Sequence, residues 1–225
     1  MMDCRIPVMD LLFAIVAAYL VGSISFAVVL SAIFRLPDPR TYGSGNPGAT
    51  NVLRSGKRSA AVLTLLGDAT KGALVVWALR SIGTSELAVA LAAVAAFVGH
   101  LFPIYFGFKG GKGVATAFGI LVAIAPMLAA IALGVFAAVL LLTRYVSLGS
   151  VLASVGVGIA AVPTYGQTPL AWAAVAMSVL VIARHRTNIQ RLLCGQERRV
   201  EWRRSQPPSA TTESTPSPNP SAAER

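Results

Sequence analysis

Four hydrophilic segments interrupt an otherwise apolar chain, and each carries residues suited to gripping an anion. The first, Arg40-Thr-Tyr-Gly-Ser-Gly-Asn-Pro-Gly-Ala-Thr-Asn-Val-Leu-Arg54, sets three glycines and a proline among Ser44, Asn46, Thr50 and Asn51. Glycines let backbone N–H groups approach an anion closely, and the planar guanidinium of Arg54 can clamp phosphate through two parallel donors. A solvated turn is the plainer reading, but plain turns rarely string together so many small donors. The second, Gly107-Phe-Lys-Gly-Gly-Lys-Gly113, offers Lys109 and Lys112 in a glycine frame just before a predicted helix, where N–H groups and the helix dipole favour phosphate. It lacks the G-x-x-x-x-G-K-[ST] register, because Gly113 follows Lys112, so nucleotide hydrolysis is unsupported. The alternative is a pair of lysines that merely hold a loop on one side of a membrane.

The third segment, Arg144-Tyr-Val-Ser-Leu148, reads alone as an interfacial anchor. The fourth, Arg184-His-Arg-Thr-Asn-Ile-Gln-Arg191 followed by Gly195-Gln-Glu197, places His185, Asn188 and Arg191 at three-residue steps, one stripe of a helix. A basic stop-transfer collar would account for the arginines but not for His185 and Asn188. Asp68 and Lys71 sit inside an apolar stretch, where each costs about 2.5 to 3.5 kcal/mol to insert unless satisfied. Their i, i+3 spacing lets them pair, either as a structural pair or as support behind the site. His100 is an interfacial polar cap or a member of the site.

The elements that must position these residues are membrane helices. The chain of 225 residues is 55% hydrophobic and 12% charged, against about 25% charged for a soluble domain. Spanning about 30 Å of hydrocarbon takes about 20 helical residues. Asp10 to Phe34, Ser59 to Leu79 and Leu87 to Phe106 each make one span. The first is too long for a signal peptide's apolar core and lacks its small-residue exit, so a retained helix is expected. Val114 to Leu142 is interrupted by Pro126 and is either one tilted helix or a tight hairpin. Val146 to Ala183 is too long for one span and is expected to turn near Pro163 to Pro169.

Charge arbitrates between six and seven spans, because Lys and Arg resist translocation. With seven spans and the N-terminus outside, all 19 basic residues except Arg5, Arg80 and Lys71 lie on the cytoplasmic side. Six spans would put Arg144 and the basic run from Arg184 to Arg204 outside. The expected fold is therefore an all-α polytopic membrane protein of seven transmembrane helices, with its C-terminus in the cytoplasm. That topology brings all four polar segments to one face. A membrane domain over residues 1–204 is expected to precede a disordered Pro/Ser-rich tail over 205–225.

The net charge of +10 invites a nucleic-acid reading, but no basic domain with interleaved aromatics supports one. Cys4 and Cys194 fall on opposite sides of the bilayer in this topology, so no disulfide or zinc site follows, and no metal-ligand cluster or cofactor motif is present.

At these segments the chain resembles the bacterial acyl-phosphate glycerol-3-phosphate acyltransferases, the PlsY family. The stretches that carry the resemblance are Gly22-Ser-Ile-Ser-Phe26, Gly43 to Asn51 with Arg54, Asp68-Ala-Thr-Lys-Gly72, His100-Leu-Phe-Pro103, Phe108 to Thr116, Arg144 to Leu148 and Arg184 to Leu192. The resemblance implies transfer of a fatty acyl group from acyl phosphate to the 1-hydroxyl of sn-glycerol 3-phosphate, giving lysophosphatidate and phosphate. It implies a seven-helix fold in the bacterial inner membrane with the site facing the cytoplasm, and an upstream enzyme that forms acyl phosphate as a partner. By position, Ser44 and Arg54 would contact glycerol phosphate, Lys112 would bind a phosphate, and Ser147, His185 and Asn188 would complete the pocket, with Asn46 and Lys109 as neighbours. Among these, His185, Asn188 and Lys112 are the expected catalytic residues.

An acyl phosphate already carries a good leaving group, so alignment and charge stabilisation suffice without a strong nucleophile. With no Ser-His-Asp or Cys-His arrangement, direct transfer is expected, the proton passing to His185 or a substrate phosphate. The competing reading is a transporter of organic phosphates, since polar breaks among membrane helices also build translocation sites. Those usually lie near the midplane and in internal repeats, whereas here the breaks gather at one face and no repeat is evident.

Overall fold

The computed structural model describes residues 8–200, which are helical with short connections and, among the described residues, contain no strand. In chain order the helices are α1 Val8–Gly22, α2 Phe26–Ile33, α3 Ala49–Val52, α4 Arg58–Ser81, α5 Glu86–Leu101, α6 Val114–Ile124, α7 Pro126–Thr143, α8 Val146–Tyr165, α9 Pro169–Arg184 and α10 Arg186–Leu193. Four are long and apolar enough to cross a membrane: α4, α5 taken on to Phe106, α7 and α8. The pair α1 and α2 makes a fifth candidate, bent by 42° at its break, and α6 and α9 are shorter apolar helices. The expected tail over 205–225 lies outside the described residues.

Proline and cap chemistry set the helix starts. Pro126 and Pro169 each occupy the first turn, where a missing N–H costs nothing, and Thr168 accepts from the Ala171 N–H at 3.2 Å. Ala125 leaves helical geometry just before Pro126, so the stretch from Val114 to Leu142 is two helices. Pro163 does not make the next turn. Helix α8 runs through it to Tyr165 and stops at Gly166, whose φ of 67° and ψ of −166° are essentially open to glycine alone.

The first predicted span is broken. Helix α1 ends at Gly22 and α2 begins at Phe26, which leaves the Ile24 carbonyl without a helical partner. Lys71 of α4 supplies it, donating from Nζ at 2.6 Å. The same ammonium donates to Asp68 Oδ1 at 2.8 Å and stands 2.9 Å from His100 Nδ1. Asp68, Lys71 and His100 are 2%, 3% and 6% exposed, so this is a buried polar junction joining the break, α4 and α5.

Elsewhere the helices meet through small residues, as packing within a bilayer favours. Central α5 buries Ala88, Ala90, Ala92, Ala93 and Ala96 and packs on α1 and α9. A β-carbon on Gly22 would strike the Ala96 carbonyl, and one on Gly119 would strike that of Ala69, so α1–α5 and α4–α6 touch backbone to backbone. Large apolar side chains such as Phe13, Trp77, Leu142 and Ile159 face outward. Water would penalise that belt, whereas lipid accepts it.

Candidate active site

The first polar segment is folded around one buried side chain, Asn51 in the short helix α3. Its Nδ2 donates to the Pro39 and Tyr42 carbonyls at 2.7 and 3.1 Å, and its Oδ1 accepts from the Ser44 N–H at 3.0 Å. The Gly45 N–H is spent on the Tyr42 carbonyl and the Gly48 N–H on that of Asn46. The loop therefore does not offer a ring of free amides, as its glycines suggest. What it presents to the neighbouring cavity are Ser44, Gly45 and Asn46. Gly43, at φ 62°, lies so close to Asn51 Oδ1 and the Arg54 side chain that any β-carbon would collide. Arg40 ties this segment to the second, donating to the Phe106 carbonyl at 3.2 Å while pairing with Asp38.

The glycine loop carrying Lys112 is held from two sides. Arg184, at the end of α9, reaches the Gly110 and Gly111 carbonyls with Nη2 at 3.1 and 3.2 Å and stacks its guanidinium 5.3 Å over the Phe102 ring. From the other side the Gly111 N–H donates to the His100 carbonyl at 3.2 Å, and the His100 ring fills the place a Gly111 side chain would need. The buried junction of Lys71, Asp68 and His100 thus stands behind the loop. It supports the site and is not open to a ligand. Lys109, by contrast, is exposed, and it does not line the cavity.

Lys112, Ser147 and Asn188 converge. Lys112 Nζ donates to Asn188 Oδ1. The other end of that carboxamide donates from Nδ2 to Glu197 Oε1 at 2.6 Å, and Ser147 Oγ donates to the same oxygen at 2.7 Å. Arg191 closes the group with Nε 2.8 Å from Glu197 Oε2. Asn188 and Arg191 do share one stripe of α10, with His185 at its N-terminal boundary. Glu197 and Arg184 are contacts of this cluster and its glycine loop that the sequence reading did not single out. Glu197's only signal was a lone carboxylate closing a segment crowded with arginines. A cavity of about 560 Å³ opens beside this cluster, lined by Ser44, Asn46, Gly110, Lys112, Arg184 and Thr187 among others. A separate apolar groove between α5 and α9, lined by Leu87, Leu91 and Trp172, carries no ionisable group.

The electrostatics are cationic and partly dry. Burial pushes the Lys112 ammonium down to about 8, Glu197 opposing and Arg191, Arg54 and Arg184 adding to the effect. Burial likewise holds Arg54 below its usual value, with Arg198 repelling it and Glu197 partly offsetting. For Glu197, burial works against ionisation, but donors Arg191, Ser147 and Asn188 outweigh it and keep the carboxylate charged. Burial pushes His185 down to about 4, so it is neutral near pH 7. Its Nδ1 stands 2.8 Å from the Val181 carbonyl and donates there, which leaves Nε2 as the acceptor. The arrangement can bind and neutralise a phosphoryl group and accept one proton. Among the described residues no cluster of His, Cys, Asp or Glu could hold a metal ion.

The family model described as Glycerol-3-phosphate acyltransferase matches residues 12–195. A relative of that name from Burkholderia pseudomallei (strain 1710b) is 54% identical over 195 residues, covering 85% of this chain and 96% of its own length. Another from Burkholderia vietnamiensis (strain G4) is 53% identical over 194 residues, covering 85% and 92%. Among solved structures, the glycerol 3-phosphate form of PlsY (YgiH), an integral membrane glycerol 3-phosphate acyltransferase, superposes with a TM-score of 0.80 at 38% identity, covering 85% of this chain and 96% of that one. Its lysophosphatidic acid form gives a TM-score of 0.77.

Proposed function

Since the chain belongs to the glycerol-3-phosphate acyltransferase family, we propose that it transfers a fatty acyl group from acyl phosphate to the 1-hydroxyl of sn-glycerol 3-phosphate, releasing lysophosphatidate and inorganic phosphate. The chain is an integral membrane acyltransferase of phospholipid biosynthesis. The observation that carries the finer reading is the meeting of Lys112, Ser147 and Asn188, from the second, third and fourth polar segments, beside a cavity lined by Ser44 and Asn46 of the first.

Two substrates that each bear a phosphoryl group need cations, and Arg54, Lys112, Arg184 and Arg191 supply them against the single carboxylate of Glu197. In this reading Arg54 and Ser44 take the glycerol phosphate, and Lys112 stabilises the charge that builds on the departing phosphate. The 1-hydroxyl attacks the acyl carbonyl, the bond to the phosphate oxygen breaks, and phosphate leaves with the electron pair. The hydroxyl proton goes to His185 Nε2 or to a substrate phosphate oxygen. Ser147 and Asn188 hold the reacting groups in line, and Lys109 is assigned no contact. Seven spans follow if α6 and α9 each cross, with the N-terminus outside, the C-terminus cytoplasmic and the site at the inner face of the bacterial inner membrane. Acyl phosphate then arrives from an upstream acyl-phosphate-forming enzyme.

The organic-phosphate transporter reading draws on the broken first span and its buried charges. Against it, Lys71 is buried and bonded to the Ile24 carbonyl and Asp68, and the polar segments meet at one end of the bundle, not at the break. The test is purified protein in detergent given glycerol 3-phosphate with acyl phosphate or, as control donor, acyl-CoA. Phosphate and lysophosphatidate appearing only with acyl phosphate are expected; transfer from acyl-CoA alone, or none, would refute the proposal.

A further inference from the structure

Glu197 is built into the site by fastenings on both sides. The Gln196 N–H donates to the Arg191 carbonyl at 2.7 Å, closing α10, and the Val200 N–H donates to the Arg144 carbonyl at 2.9 Å. Arg199 lies 5.1 Å over the Tyr145 ring. Residues 195–200 therefore form a strap from α10 to the connection between α7 and α8, with the Glu197 carboxylate beneath it.

That carboxylate restricts its neighbours, because it only accepts hydrogen bonds. Asn188 has one donor end and one acceptor end. With Nδ2 committed to Glu197 Oε1, Oδ1 must face Lys112, as it does. Ser147 has one proton and spends it on the same oxygen, so it meets an incoming group as an acceptor. A glutamine at 197 would lift the restriction on Ser147 and loosen that on Asn188, since its amide could donate to either residue and only Lys112 would still call for Oδ1.

We propose that Glu197 is a positioning residue for acyl transfer: through Asn188 and Ser147 it sets the hydrogen-bonding sense of the groups that meet substrate, and it balances the cation of Lys112. The inference rests on the proposed reading of the site. The groups facing Lys112 are Glu197, the cations Arg54, Arg184 and Arg191, and the neutral imidazole of His185. Among them Glu197 alone is negative, so its removal lowers the pH at which Lys112 loses its proton.

The test is steady-state kinetics of the purified full chain with acyl phosphate and glycerol 3-phosphate as a function of pH. Glu197→Gln is expected to lower kcat about ten- to a hundredfold, the consequence of a mispaired buried group, and to move the alkaline limb of kcat/KM to lower pH. Glu197→Asp keeps the charge, so its limb stays in place while kcat falls less. In an Asn188→Ala background, Glu197→Gln is expected to cost less in kcat than in the wild type, because the part of its effect that runs through Asn188 is already lost. A Gln variant with wild-type kcat, or one whose loss is the same in both backgrounds with an unmoved limb, overturns the proposal. If the Gln variant does not purify as a single species, the decision passes to Glu197→Asp, for which unaltered kcat is the overturning result. A wild type that transfers nothing sinks the functional reading itself; an active wild type with an indifferent Gln variant sinks only this inference.

Discussion

Lys112 and Asn188 lie 76 residues apart in the chain and meet end to end, the ammonium donating to the carboxamide oxygen. One belongs to a glycine loop and the other to a short amphipathic helix. Their meeting makes the charge state of Lys112 the quantity on which the account turns.

That charge state gives the first prediction. With its ammonium pushed down to about 8 by burial, Lys112 is protonated below that pH and loses its charge above it. kcat/KM is expected to fall tenfold per pH unit on the alkaline side of about 8. Lys112→Ala is expected to cost roughly a hundredfold or more in kcat, the scale of losing one preorganised donor. A pH–rate profile of the wild type and a single-turnover measurement of the variant check both.

Arg54 is assigned to ground-state binding of glycerol phosphate. Among the described residues its guanidinium makes no salt bridge, and it stands beside the first loop, near Gly43 and Asn51. Arg54→Ala is expected to raise KM for glycerol 3-phosphate about ten- to a hundredfold, the scale of a lost charge-assisted hydrogen bond. An unchanged KM would remove Arg54 from the substrate's phosphate.

Arg184 holds two carbonyls of the glycine loop and stacks on Phe102 at once. Lysine cannot do both, because it lacks the planar fork. Arg184→Lys is expected to lower kcat about tenfold, with the thermal midpoint in detergent moving little; kinetics beside a melting curve separate the two effects.

The buried junction answers to stability instead. Lys71→Ala leaves Asp68 without its ammonium and the Ile24 carbonyl without a donor, at a cost of about 3 to 5 kcal/mol. The double change Asp68→Leu with Lys71→Met is expected to recover part of that loss, since no buried charge is then stranded. Thermal or denaturant unfolding in detergent reads out both.

The contrast between spans and site shows what a sequence can disclose. Length and apolarity mark the long helices because a bilayer's thickness is a physical ruler, and Pro126 and Pro169 mark helix starts because proline lacks an N–H. The break at Ser23-Ile-Ser25 is marked only by the preceding Gly22 and its serines; Lys71, 47 residues on, satisfies the Ile24 carbonyl it frees. The turn expected between Pro163 and Pro169 is there, but Gly166 makes it, because a proline in a last turn forfeits only one bond. Ser44, Lys112 and Asn188 stood out as small, polar or charged groups in glycine-rich or basic segments, whereas Ser147 was marked by the family resemblance alone. Glu197 did not stand out, because its meaning lies in Ser147, 50 residues away, and in an Asn188 whose orientation it fixes together with Lys112.

Labelling from one side of sealed, inside-out membrane vesicles tests the common site most directly. Ser44→Cys and Lys112→Cys, each in a chain whose Cys4 and Cys194 are replaced by serine, are to be treated with a membrane-impermeant thiol reagent, with and without glycerol 3-phosphate. Both should react from the cytoplasmic side, and glycerol 3-phosphate should slow the Ser44→Cys reaction. Reaction of the two positions from opposite sides of the membrane would contradict the account.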